Sequence, residues 1–237
     1  MITLGLDSCG RAAGAAILQD DRLLYESYLD NGLTHSETLL PMVEAAFAAC
    51  GISAAQLDLI GVGAGPGSFT GLRIGMALAK GLALPRAVPC AAVSSLEGIA
   101  RGIFLPEGAL VLAAEDARRG EVYYAAFRRQ GQTLLRLCPD SVGRPAALAE
   151  LLAGEEKTIF VVGDGAQVCY NELEDKLPVE LAPSPWRLGR AAGVALGARV
   201  IWSQGGAQDA SALRPAYHRL SQAQRERQEK LKEAKHQ

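Results

Sequence analysis

The chain has 237 residues, 49% hydrophobic and 21% charged, with a formal net charge of −2. This is ordinary globular material with ample core, enough for one large domain or two small ones, and it excludes a surface given over wholly to nucleic acid. The five cysteines (Cys9, Cys50, Cys90, Cys138 and Cys169) are scattered without a Cys-x-x-Cys pair, and read as buried thiols in a reducing cytosol rather than as a disulfide frame or zinc site.

In chain order, three strand-like runs at 2–6, 12–18 and 22–28 precede a helical pattern near 37–50 and a buried strand at 57–64. Met1 leads straight into the first run, with no basic segment or cleavable apolar stretch, so no export is expected and the location is cytoplasmic. No run approaches the roughly 20 apolar residues that span a bilayer. Asp7-Ser8-Cys9 closes the first strand; a carboxylate there is a routine turn former. His35 lies in the first turn of the next helix, where Thr34 and Glu37 have capping-box spacing, and Pro41 implies a kink or a later start.

The segment Gly65-Pro66-Gly67-Ser68-Phe69-Thr70-Gly71-Leu72-Arg73-Ile74-Gly75 joins the 57–64 strand to a long small-residue helix. Phosphate-cradle and hydrolase templates fail on its letters. A P-loop needs Lys-Ser/Thr after its last glycine, where Leu72-Arg73 stand. The dinucleotide fingerprint needs a third glycine where Thr70 stands. A nucleophile elbow around Ser68 needs glycines where Pro66 and Thr70 stand. Small residues instead recur every fourth position, at Gly67, Gly71, Gly75, Ala79 and Ala83, which on a helix is one row along one face. Glycine costs roughly 1 kcal/mol in a helix interior, so the row predicts close approach by another backbone.

A strand at 88–93 and a helix opening on the capping box Ser94-x-x-Glu97 complete this succession. A second begins with strand-like runs at 109–114, 122–127 and 134–138. It continues with a helix at 145–152, a strand at 158–162, a helix after Gly165 and a helix at 188–202. Three strands, helix, strand, helix, written twice, is the duplicated pattern of the actin, sugar-kinase and Hsp70 architecture, an analogy of fold and not of function. The predicted class is therefore α/β, with two lobes at 1–104 and 105–219, the second smaller, and a charged tail at 220–237. From Arg219 onward six Lys/Arg oppose three Glu, and Glu226 and Lys230 have the spacing of a helical ion pair. The three histidines, His35, His218 and His236, form no His-x-x-x-His pair. No metal site is expected.

These residues carry a specific likeness. Gly65 to Arg73 resembles the signature of the bacterial TsaB (YeaZ) family, an accessory subunit in tRNA threonylcarbamoyladenosine biosynthesis. Leu6-Asp7-Ser8, His35-Ser36-Glu37-x-Leu39-Leu40-Pro41, Asp116-Ala117-Arg118-Arg119-Gly120-Glu121-Val122-Tyr123 and Arg214-Pro215-x-Tyr217 agree in the same order. The match runs to about residue 219; Ser8-Cys9 departs from the more usual Thr-Ser.

The resemblance implies a two-lobed actin-like subunit, neither a protease nor itself the catalyst. It requires no cofactor, ATP entering only in the complex. A TsaD-type partner would move threonylcarbamoyl from its adenylate to the adenosine next to the anticodon, with a TsaE-type ATPase completing the set. tRNA would be met through the complex, and a homodimer would form when the chain is alone. The partner-binding residues expected are Gly67, Phe69, Gly71, Leu72, Gly75, Met76 and Ala79, with Leu39, Val43 and Phe47 from the preceding helix. Asp7 and Ser8 are the residues that a nucleotide site, working or vestigial, would use; an ATP-dependent enzyme acting alone through that hairpin is the alternative function.

Overall fold

The computed structural model describes residues 1–219; the charged tail at 220–237 lies outside them. The first unit contains β1 (Ile2–Asp7), β2 (Ala13–Gln19), β3 (Arg22–Leu29), α1 (His35–Cys50), β4 (Leu59–Gly65), α2 (Phe69–Ala83), β5 (Cys90–Ser94) and α3 (Ser95–Arg101). Its sheet has the order β3-β2-β1-β4-β5, antiparallel through β1–β3 and parallel through β1, β4 and β5. Leu4, Leu6, Ile17, Ile60 and Val62 belong to one core cluster, on the face of the sheet that α1 and α2 cover.

The second unit contains β6 (Leu110–Arg118), β7 (Glu121–Gln130), β8 (Thr133–Arg136), β9 (Ser141–Gly143), α4 (Leu148–Leu151), β10 (Ile159–Val162), α5 (Ala166–Leu173) and β11 (Val179–Leu181), followed by α6 (Ser184–Arg187) and α7 (Ala191–Ser203). Its order, β8-β7-β6-β10-β11, with β9 paired to β7, repeats the first in both sequence and strand sense. The duplicated α/β pattern is thus present in the pairing itself. The short strands β9 and β11 were not visible in the sequence, because three residues carry no period.

Two local expectations change. Helix α1 starts at His35 and runs through Pro41, but the Thr34 side chain makes no cap; its hydroxyl pairs with Ser36 Oγ instead. At α3, Ser94 Oγ does accept from Glu97 N, at 3.2 Å, while the Glu97 carboxylate turns outward to Arg101 and Arg136.

The larger correction concerns α7. In sequence it follows the second succession, yet Val194 and Ala198 pack on Leu59, Ala91 and Val93 of the first sheet. A methyl group on Gly5 would sit 2.3 Å from the Ala191 carbonyl oxygen, and one on Gly61 only 2.5 Å from the Ala198 methyl. Missing side chains in β1 and β4 are what let α7 lie against the sheet. The chain then stays with the first unit: Cys90 pairs with Gln208, and Ala216 N donates to Ala64 O at 2.7 Å. The packing therefore does not divide at 104/105, because 191–217 return to the first sheet. Among the described residues no helix is long and apolar enough to cross a membrane.

Candidate functional site

The β4–α2 turn is folded onto the chain's own first hairpin. Ser68 N donates to Cys9 O at 2.7 Å, and Ser68 Oγ caps α2 by accepting from Gly71 N at 3.3 Å. Gly67 has φ +154, and a Cβ there would lie 2.5 Å from Cys9 O. One turn on, a Cβ at Gly71 would sit 2.0 Å from Ser8 O, and one at Gly75 2.5 Å from Ser8 Oγ. The Ser8 hydroxyl, buried here, donates to Gly71 O at 2.9 Å. Ala79 and Ala83 continue the row into the core, both fully buried.

The row is therefore real, but it faces inward. The backbone that approaches it belongs to β1 and its turn, not to a foreign helix. Of the expected partner contacts, Gly71, Leu72, Gly75, Met76 and Ala79 on α2 and Leu39 and Val43 on α1 are buried within the chain, and Gly67 is held over Cys9. Phe47 is half-buried against the same core. Phe69 stacks on Tyr217 with centroids 4.9 Å apart, and the Arg73 guanidinium lies over the Phe69 ring, 4.0 Å from its centre. What α1 and α2 present to solvent is a different set. Leu40 is 45% exposed and Leu84 79%; Ala77 and Gly81 are exposed, and nothing lies within 4 Å of a Cβ built on Gly81. None of these four is among the expected partner contacts. Their signal was present: they lie on the side of each helix away from the buried positions.

On the other side of the hairpin a cleft of about 620 Å³ opens between the two units, lined by Cys9, Gly10, Arg11, His35, Glu115 and Asp164 among others. His35 Nε2 sits 3.0 Å from Gly10 O; a carbonyl only accepts, so Nε2 carries the proton. At its back lie three carboxyls. Burial is the main reason that Asp7 and Asp164 are raised above the ordinary carboxylate range, and that Glu115 is raised well above it, with Asp164 and Asp7 adding repulsion. Ser95 Oγ donates to Pro66 O and lies 3.0 Å from Glu115 Oε2. A hydroxyl has one proton, so with that proton on Pro66 O the second bond requires a protonated Glu115. Burial, then the neighbouring Asp7, also pushes the Cys9 thiol well up, which makes it inert as a nucleophile.

The predicted nucleotide residues are not placed to hold phosphates. Asp7 is 4% exposed, accepts from Cys9 N at 3.1 Å and lines a pocket of about 10 Å³, room for about one water. The Ser8 hydroxyl is engaged by α2.

Of the remaining family-motif residues, Asp116, Arg118, Tyr123 and Tyr217 line the cleft. Asp116 to Glu121 forms the β6–β7 hairpin turn, with Arg118 N donating to Asp116 Oδ1 at 2.7 Å. Tyr217 receives a bond from Arg73 Nε at 3.0 Å, and Arg219 bonds Ala117 O at 2.6 Å and pairs with Glu121. Tyr123 stands edge-on to His218. The segment around Pro215 thus spans from α2 to the second unit's hairpin. Glu115, one residue before the quoted motif, and Asp164 were missed.

Comparison with known proteins fits this geometry to a family. Residues 32–177 match the family model described as TsaD, tRNA N6-adenosine threonylcarbamoyltransferase. The chain is 33% identical over 179 residues to the tRNA threonylcarbamoyladenosine biosynthesis protein TsaB of Bacillus subtilis, covering 75% of this chain and 77% of that protein. It is 46% identical over 96 residues to the protein of the same name from Escherichia coli, covering 40% of this chain and 42% of that one. A Pseudomonas aeruginosa structure, described as an uncharacterized protein with similarity to peptidase YeaZ, superposes with a TM-score of 0.77 at 28% identity, over 92% of this chain and 99% of that one.

Proposed function

Because the chain belongs to the TsaB family and so takes part in tRNA threonylcarbamoyladenosine biosynthesis, we propose that it does so as a non-catalytic, activating subunit, neither a protease nor an enzyme on its own. A TsaD-type partner carries out the transfer of threonylcarbamoyl to the adenosine next to the anticodon, and a TsaE-type ATPase joins them. ATP enters with the partners, and a second copy takes the partner's place when the chain is alone, all in the cytoplasm. The repeated sheet order supports reading the two units as actin-like lobes.

The observation that carries the reading is the solvent face of α1 and α2. Leu40 and Leu84 give it apolar contacts and Gly81 leaves it open, beside the exposed Glu37 and Glu44 of α1, so that another pair of helices can approach it closely. The inward row holds α2 down, and the opposite ridge does the docking.

Gly81→Arg and Leu40→Arg test this. Both positions are open, and replacing glycine favours the helix, so both variants should melt close to the parent. Loss of co-purification with a TsaD-type subunit is expected. Co-purification at the parental level would exclude this face. Omitting the chain from a reconstituted tRNA modification reaction tests the functional assignment: modification at an unchanged rate would overturn it.

A further inference from the structure

The flank of α2 turned away from α1 borders a groove of about 640 Å³ closed on its far side by the segment around Ser211 to Tyr217. Its charged lining is Arg73, Lys80 and Arg214, with no carboxylate. None of the three is ion-paired to a carboxylate among the described residues, although the chain as a whole is slightly acidic.

Two of the cations are held in place. Arg73 lies 4.0 Å from the centre of the Phe69 ring and gives its Nε proton to Tyr217 Oη, leaving both terminal nitrogens to donate. Arg214 is anchored through Nη1 to the Ser211 and Leu213 carbonyls, which leaves Nε and Nη2. Fixed guanidiniums lose little freedom on meeting an oxyanion, and their fork suits phosphate. Lys80 is seven residues from Arg73, so the two stand about 10 Å apart along the helix.

We propose that this groove is a contact for the phosphodiester backbone of RNA, gripped by Arg73, Lys80 and Arg214. A polyanion charged at every residue meets cations at two helical turns without needing a matched sequence, which an acidic peptide would need. Tyr217, 44% exposed, adds an aromatic surface beside the cations of the kind on which bases stack. Residues 220–237 follow directly and carry five Lys/Arg against three Glu, so the sequence beyond the groove keeps the same sign. The choice of RNA over other polyanions rests on the functional reading above, in which the assembly's substrate is a tRNA. Under it, this chain touches the tRNA directly and not only through its partner.

The test is a titration of a fluorescent tRNA transcript with the full chain across a salt series. Each lost phosphate contact removes about one from the slope of log K against log salt, and near 0.1 M salt it weakens binding roughly five- to eightfold. Lys80→Gln and Arg214→Gln should each do this, with melting temperatures reported alongside. Lys176→Gln, on the surface of α5's trailing turn and paired with Glu172, should change nothing. Transcript binding by either groove variant equal to the parent overturns the proposal, as does a parent chain that fails to bind at 0.1 M salt. A third outcome also overturns it: variants that bind transcript normally but lose the protein partner in RNA-free buffer would assign the groove to an acidic polypeptide. The omission experiment above judges the functional reading separately, since it does not depend on this titration.

Discussion

Gly75→Ala measures how firmly α2 is seated on the first hairpin. The new methyl would arrive 2.5 Å from Ser8 Oγ and 3.4 Å from a Val62 methyl, so Ser8 must leave the rotamer that bonds Gly71 O. Overpacking a core costs about 1–3 kcal/mol, and stranding the buried Ser8 hydroxyl about 1–3 more. Against this stands a helix-propensity gain of about 1 kcal/mol. The net expectation is a loss of about 1–5 kcal/mol, centred near 3, and at that centre roughly 6–12 °C in melting temperature for a chain of this size. Ser8→Ala alone loses one hydrogen bond, about 1 kcal/mol. In the double variant the clash disappears, since the Ser8 Cβ stands 3.8 Å from the new methyl. It should recover to within about 1 kcal/mol of the parent, a coupling of about 2–3 kcal/mol. Urea unfolding followed by far-ultraviolet circular dichroism reads all four corners of the cycle. Gly81→Ala on the opposite face of the same helix should instead stabilise by about 0.5–1 kcal/mol. If Gly75→Ala is as stable as the parent, or the second substitution brings no rescue, the inward seating of the row is wrong.

Glu115→Gln concerns pH. A carboxyl raised in the folded state holds its proton where the unfolded chain has lost it, so stability is present at low pH and falls as pH climbs from the ordinary glutamate value of about 4.3 toward the folded one. The glutamine keeps a donor for Ser95 without the charge. It should therefore be more stable than the parent at pH 8, by an amount that shrinks toward pH 5; equal differences at the two pH values in urea unfolding would contradict this. Glu26 is 7% exposed, bonds Arg190 through Nε at 3.0 Å and accepts from Ala192 N at 3.0 Å, fastening the start of α7 to β3. Glu26→Ala strands the guanidinium and should cost about 2–4 kcal/mol, with hydrogen exchange rising first in α7; unchanged protection there would show that α7 is held by packing alone.

Much of the architecture was readable because it is local. The periods of β1, β2, β4 and β6 and the runs leading into α2 and α7 announce themselves, and the two successions share an order. Spacing placed Gly71, Gly75 and Ala79 on one face of α2, but it carries no sign. A row of small residues permits close approach from inside as readily as from outside, and only Ser8, 63 residues upstream of Gly71, decides which. The destination of α7 was hidden for the same reason, because its complement is in the glycines of β1 and β4. Glu115 looked like an ordinary hairpin flank after a strand of buried residues; Ser95 and Pro66, which give it a protonated role, come from two other elements.

The return of α7 to the first sheet bears on synthesis. As the chain leaves the ribosome, β1 to β5 emerge early, but the surface carrying Gly5 and Gly61 stays uncovered until Ala191 to Ser203 follow. The whole of the second unit is made in between. Nascent chains stalled before residue 190 should thus display an apolar wall attractive to trigger-type chaperones, and the first half of the gene should not fold cleanly when expressed alone.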